Sequence, residues 1–233
     1  MTKYVKIPGF NMGKVRDVTS KQYLTDAYKR LTNAGFALKL TPTKSVLADG
    51  HAVSGYFDED NKEIVLGTGG RVATWLPALV HEVCHFDQWR EGCAVWRDFT
   101  YPTGGDCGVI WDAWISSKSK RYTPAVICDM LRRVRNCEID CERRTLRVIA
   151  DLMLPVDAAA YAQRANSYIY FYNYATIRKQ WWVRGKAPYA SPQICAMMPH
   201  VILEDNSAYD TISPELVLMY DKYCTTNGLP GIR

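Results

Sequence analysis

The stretch Thr74–Gly92, TWLPALVHEVCHFDQWREG, decides the fold reading. Its apolar residues Leu76, Leu79, Val80 and Val83 recur at three- and four-residue steps, the period of one buried helix face. Thr74 can cap the start, Pro77 is tolerable in a first turn, and Gly92 can stop the end. Within it, His81-Glu82-Val83-Cys84-His85 is an HExxH sequence. On a helix, positions i and i+4 lie one above the other, so both imidazoles can reach one ion. Glu82 stands beside the first histidine, where a carboxylate can serve as general base. The chain has only four histidines, and this motif uses two of them.

Upstream, Thr19-Ser20-Lys21-Gln22 has capping-box form, and Leu24, Ala27, Tyr28 and Leu31 follow at helical spacing. Gly35 closes that helix. Short runs at 36–40, 45–47, 52–57 and 63–66 read as strands, and SGYFDEDNKEIVL reads as a β-hairpin around a polar turn. Downstream, residues 98–122 carry Pro, adjacent Gly and several Ser, the composition of a long loop. Thr123-Pro124 opens a second long helix that runs to about Leu154. Asp157 caps a third, Tyr-rich helix reaching Trp181-Trp182. Residues 183–212 look irregular, and Ser213-Pro214-Glu215 begins a last helix.

The expected fold class is therefore α+β. A small antiparallel or mixed sheet packs on the HExxH helix, and the C-terminal half is mostly helical. The 233 residues suit a single domain. Within it, residues 1–97 supply the first helix, sheet and HExxH helix, and residues 98–233 the loop and helical half.

Composition narrows the function classes. A hydrophobic share of 48% and a charged share of 23% are ordinary for a globular protein. No apolar run reaches the roughly 20 residues of a membrane-spanning helix, and the N-terminus lacks a secretory apolar stretch. A cytoplasmic location, in the producing or host cell, is the expectation. The eight cysteines include no CxxC pair, so they read as reduced, mostly buried thiols rather than a zinc knuckle. Between Ile115 and Arg147, nine Lys or Arg face four acids, a balance equal to the net +5 of the chain. With no nucleic-acid motif beside it, this segment reads as a solvated helix face rather than a nucleic-acid surface.

A catalytic zinc site needs a third protein ligand and an open position. The metzincin extension is absent, because Gln88 and Glu91 stand where its glycine and third histidine would be. His51 and His200 are the remaining histidines; His200, after proline, reads as structural or exposed. Carboxylates are the better candidates. On the second long helix, Glu138 and Glu142 share a face as i and i+4. One can bind the metal while the other accepts a hydrogen bond from a ligand imidazole. Cys137, Cys141 and Val148 lay a small apolar strip beside them, suited to close helix packing. The competing reading is a solvated acidic patch paired with Arg135, Arg143 and Arg144. Should neither glutamate belong to the site, Asp106 is the next acid in line.

HEVCH followed by a helix bearing Glu-x-x-x-Glu resembles the gluzincin arrangement. Carried over by position, the resemblance implies Glu138 as the metal ligand and Glu142 as the orienting acid. EIDCERRTLRVIADLMLP is also similar to the phage-repressor-associated metallopeptidases, although Pro155 is better spaced from Glu142 than from Glu138. HEVCHFDQW, EIDCERRT and ANSYIYFYNYATIRKQWW resemble uncharacterised phage-encoded metallopeptidases over about residues 50–182. The implied activity is zinc-dependent hydrolysis of a peptide bond in a protein or peptide substrate. Its metal, Zn²⁺, would be held by His81, His85 and one of Glu138 and Glu142, with Glu82 as base. The alternative is a zincin-derived, phage-encoded binding protein that acts on a host partner without proteolysis. The hairpin from Ala52 to Leu66 is the candidate docking edge for an extended substrate.

Overall fold

The computed structural model describes residues 6–48, 51–100, 106–116, 122–180 and 187–226. It is an α+β protein, mostly helical, with a small mixed sheet. The chain divides into two compact units, Met1–Glu91 with Arg144–Ala158, and Gly92–Arg143 with Ala159–Arg233.

The first unit opens with α1 (Val18–Asn33). It begins before the expected box because Asp17 is the cap: its carboxylate accepts the Ser20 N–H and hydroxyl. These bonds hold the Asp17 carboxyl below its usual range. The buried face of α1, including Leu24, Ala27 and Leu31, packs along β1 (Ala37–Thr41). A separate antiparallel ribbon follows, β2 (Val46–Ala48) against β3 (His51–Val53). The expected hairpin is present as β4 (Gly55–Asp58) and β5 (Glu63–Gly67). β5 also pairs in parallel with β1, so the sheet order is β1-β5-β4, with β5 central and β4 at an edge.

The HExxH helix is α2 (Val72–Glu91), which packs on β4 and β5. It starts two residues before Thr74, because Thr74 N–H already bonds the Arg71 carbonyl. Pro77 therefore sits deeper in the helix than expected. The four residues expected to bury the far face do so: Leu76, Leu79, Val80 and Val83 are at most 1% exposed. Gly92, at φ +54°, ends the helix in the left-handed region that glycine adopts without strain. An aromatic cluster completes this core. Phe86 meets Phe36 edge-on with centroids 5.1 Å apart, and Trp89 meets Phe36 at 4.9 Å.

The second unit is helical. α3 (Ala94–Phe99) ends just inside the stretch expected to be a long loop, and α4 (Cys107–Ile115) lies within it, which corrects that reading. Asp106 caps α4 by accepting the Val109 N–H at 2.9 Å, and Cys107, Ile110, Trp111 and Ile115 are core residues. The other half of the expected loop signal, Pro102 to Gly105 and Ser117 to Arg121, lies outside the described residues, as do Trp181 and Trp182.

α5 (Pro124–Asp151) and α6 (Ala158–Arg178) match the expected long helices. The 28 residues of α5 run unbroken through the unit boundary, so its last turns belong to the first unit. The expected irregular segment contains a short α7 (Pro192–Cys195), and α8 (Pro214–Thr226) closes the described chain. Phe171, Tyr174 and Tyr220 from α6 and α8 join Trp111 and Met130 in this unit's core. No helix among the described residues is long and apolar enough to cross a membrane.

The fully buried Phe86 joins the sheet to α2. Replacing it with alanine is expected to cost about 3–5 kcal/mol in urea unfolding. A loss of about 0.5 kcal/mol, the size of a surface change, would contradict its place in the core.

Candidate metal centre

The 3.6-residue period of α2 puts His81 directly over His85, and both are half-buried. Their Nε2 atoms are 3.1 Å apart, and the rings stand at 88° with centroids 4.6 Å apart. Two nitrogens at ~2.0–2.1 Å from one tetrahedral zinc are separated by about 3.3 Å. The pair thus has nearly the spacing that one small cation requires.

The tautomer is set from below. The Gln88 side chain is fully buried, and its Oε1 lies 2.8 Å from His85 Nδ1. An amide oxygen only accepts, so Nδ1 carries the proton, and in the neutral ring Nε2 is then the lone-pair nitrogen facing His81. This is the orienting contact that metal-binding histidines use. In the sequence, Gln88 stands out only as a departure from the metzincin motif.

Glu82 is 9% exposed on the same helix. Beside it runs β4. A Cβ built on Gly55 would stand 3.5 Å from Glu82 Cγ, 2.6 Å from Leu66 Cδ1 and 2.9 Å from the Val65 carbonyl oxygen. Only glycine lets this edge strand pass so close to its neighbour while lying against the Glu82 stem. The Glu82 stem therefore lies against the edge strand of the sheet.

The acids expected on the second long helix are on α5, held from α6. Tyr172 Oη donates to Glu138 Oε1 at 3.3 Å, and Tyr161 Oη donates to Glu142 Oε2. Glu142 is 5% exposed, Cys141 is fully buried and Cys137 nearly so, which bears out the apolar strip for the two cysteines. The arginines of this segment have defined partners of their own. Arg135, 2% exposed, donates to Asp210 and Asn173. Arg143 donates to the Leu203 and Glu204 carbonyls, and Arg144 pairs with Glu91 at 2.7 Å. Near α5's middle, the expected solvated basic face is thus partly turned to internal bonds.

The lesser candidates are placed plainly. His51 is exposed on β3, and His200 is exposed beside the Pro199 and Val201 carbonyls that accept from Asn166. Asp106 is a helix cap, and burial raises its carboxyl above the usual range. By sequence, Tyr161 and Tyr172 read as core aromatics; nothing in a tyrosine's spacing tells whether its hydroxyl ends on a carboxylate.

Removing the Gln88 acceptor frees the His85 ring. In the metal-free protein, Gln88→Ala is expected to shift His85 from the Nδ1–H tautomer to a mixture, read by ¹⁵N NMR of the imidazole. An unchanged Nδ1–H population would show that something else fixes the ring. No protein-family model, curated protein or solved structure matches the chain.

Proposed function

We propose that the chain is a zinc-dependent peptidase of the zincin type. The observation that carries this reading is the His81–His85 pair: Nε2 atoms 3.1 Å apart with one tautomer set by buried Gln88. Two neutral imidazole nitrogens at that spacing suit Zn²⁺. Zinc held there would supply a Lewis acid and bring the pKa of a bound water to near 7.

The third ligand is proposed to come from the Glu138–Glu142 turn of α5. Glu138 is the proposed ligand and Glu142 the orienting acid. Buried Cys141 on the same turn is a further candidate, since two imidazoles and a thiolate could also hold a metal ion.

The chain's own groups divide the remaining work. Glu82 takes a proton from the attacking water and returns it to the leaving amine nitrogen. The outer edge of β4 is the proposed docking strand for an extended peptide. In the antiparallel pairing with β5, the Gly67 N–H bonds the Ser54 carbonyl. Alternation then turns the backbone groups of Gly55 and Phe57 to the outer side. This narrows the expected hairpin to one strand: β5 is central, and Ile64 on it is fully buried, so a proline there would break the sheet rather than test docking.

Purified protein is expected to hold one zinc per chain, and His81→Ala to lose it. Well-folded wild type without zinc would end the reading. Glu82→Gln should keep the metal and lower peptide hydrolysis by about 10²–10⁴-fold; full activity in that variant would remove Glu82 as base. Among Glu138→Gln, Glu142→Gln and Cys141→Ser, the ligand is the one whose loss strips zinc at modest chelator concentrations. Loss of an orienting group should weaken affinity only about 10–100-fold.

A further inference from the structure

The mixed sheet has two edges, and the one at β1 carries its own groove. In the parallel pairing of β1 with β5, the Ala37 N–H bonds the Lys62 carbonyl, and the Thr41 carbonyl accepts the Thr68 N–H. Alternate residues of such a strand turn their backbone groups to the same neighbour. Ala37, Lys39 and Thr41 therefore face β5, and the N–H and C=O groups of Leu38 and Leu40 face outward. β1 ends the sheet order, and among the described residues no strand pairs with these four groups.

A cleft of about 590 Å³ runs along β1, lined by every residue of the strand and by Pro8, Tyr28, Thr32 and Phe36. Both faces of β1 and no described residue of β5 line it, which places it on the outer side of the sheet. Two donors and two acceptors at strand spacing are matched together by one further strand. A helix keeps its backbone groups for itself and would leave them unmatched.

The side chains select the strand. Leu38 and Leu40 are buried on one face of β1, and Ala37 and Lys39 are exposed on the other. In an added antiparallel strand, the residues opposite the two leucines turn to the leucine side, and the residue between them turns to the Lys39 side. The first two meet an apolar environment and the third an ammonium. Lys39 pairs with Glu63, yet its side chain is 56% exposed, and an ammonium has three donors to give. A second copy of the chain suits this edge poorly. Pairing β1 with its own copy through both leucines would set Lys39 directly opposite Lys39, a repulsive pair.

We propose that the outer edge of β1 docks one extended strand of another protein, in which an acidic residue is flanked by apolar ones. This partner site is distinct from the proposed substrate edge at β4.

The test follows backbone amides by ¹⁵N NMR in the full Glu82→Gln chain, where the proposed hydrolysis cannot consume a probe. The probe is the end-blocked peptide Ser-Thr-Val-Glu-Val-Thr-Ser. It is expected to shift the Leu38 and Leu40 amides and to slow their exchange with solvent. Lysine in place of the peptide's glutamate should weaken binding about two- to fivefold, and Lys39→Glu in the protein should reverse that preference. N-methylation of both valines removes the donors that reach the leucine carbonyls and should abolish binding. Equal affinity for the two peptides, or shifts confined to Gly55 and Phe57 on β4, would overturn the proposal. So would Leu38 and Leu40 amides already protected in a protein that sediments as a dimer, because a second copy would then hold the edge. None of these readouts depends on zinc, so this proposal and the peptidase reading fail separately.

Discussion

Burial of Leu76, Leu79, Val80 and Val83 against the sheet side of α2 fixes the helix's rotation about its own axis. A helix has about 100° between successive residues, so fixing that one face fixes where position 81 and position 85 point. The histidines need no further force to be stacked. They need only that the opposite stripe stays dry. Phe86 and Trp89, meeting Phe36 across the turn into β1, extend the same clamp toward the C-terminal end of α2. The polar chemistry of one face is thus anchored by the apolar packing of the other.

Much of this was legible in the sequence because it is periodic. The 3.6-residue repeat marks the buried face of α2, the alternation on either side of DEDNK marks the β4–β5 hairpin, and Thr123-Pro124 marks the start of α5. What escaped was decided by single side chains or distant contacts. Asp17 competes as a cap with the box at Thr19, and only the bond to Ser20 decides between them. α4 was hidden because Pro102, Gly104, Gly105 and the nearby serines dominate the local composition. The nine residues between them form a helix whose apolar side is accepted by the core of its unit. Gln88 on His85 and the tyrosines on Glu138 and Glu142 follow from which hydroxyl or amide meets which acceptor, and no local pattern encodes that.

The charge pattern of α5 shows a similar shift of meaning. Counted along the chain, residues 115–147 are a basic block. In the fold, Arg135 is drawn into the interior by Asn173 and Asp210, and burial lowers its pKa while Asp210 opposes that. Arg143 caps carbonyls of the 203–204 segment. The Asp210 carboxylate offsets the charge of Arg135, and Arg143 has donors turned to internal carbonyls, so a count of basic residues overstates the free guanidinium donors a polyanion would meet.

Pro77 has a mechanical consequence for the histidine pair. Its missing N–H leaves the carbonyl four residues earlier, at Ala73, without its helical donor, so the turn from Val72 is the weakest part of α2. Its ring also locks φ at a helical value, which removes conformations from the unfolded chain at that point. Fraying that enters from the N-terminal end therefore meets a stiff residue one turn before His81. The Pro77 carbonyl, four residues before His81, is the acceptor its amide needs. The proline acts as a stop between a loose first turn and a stiff one, and the turn that bears the imidazoles lies on the stiff side.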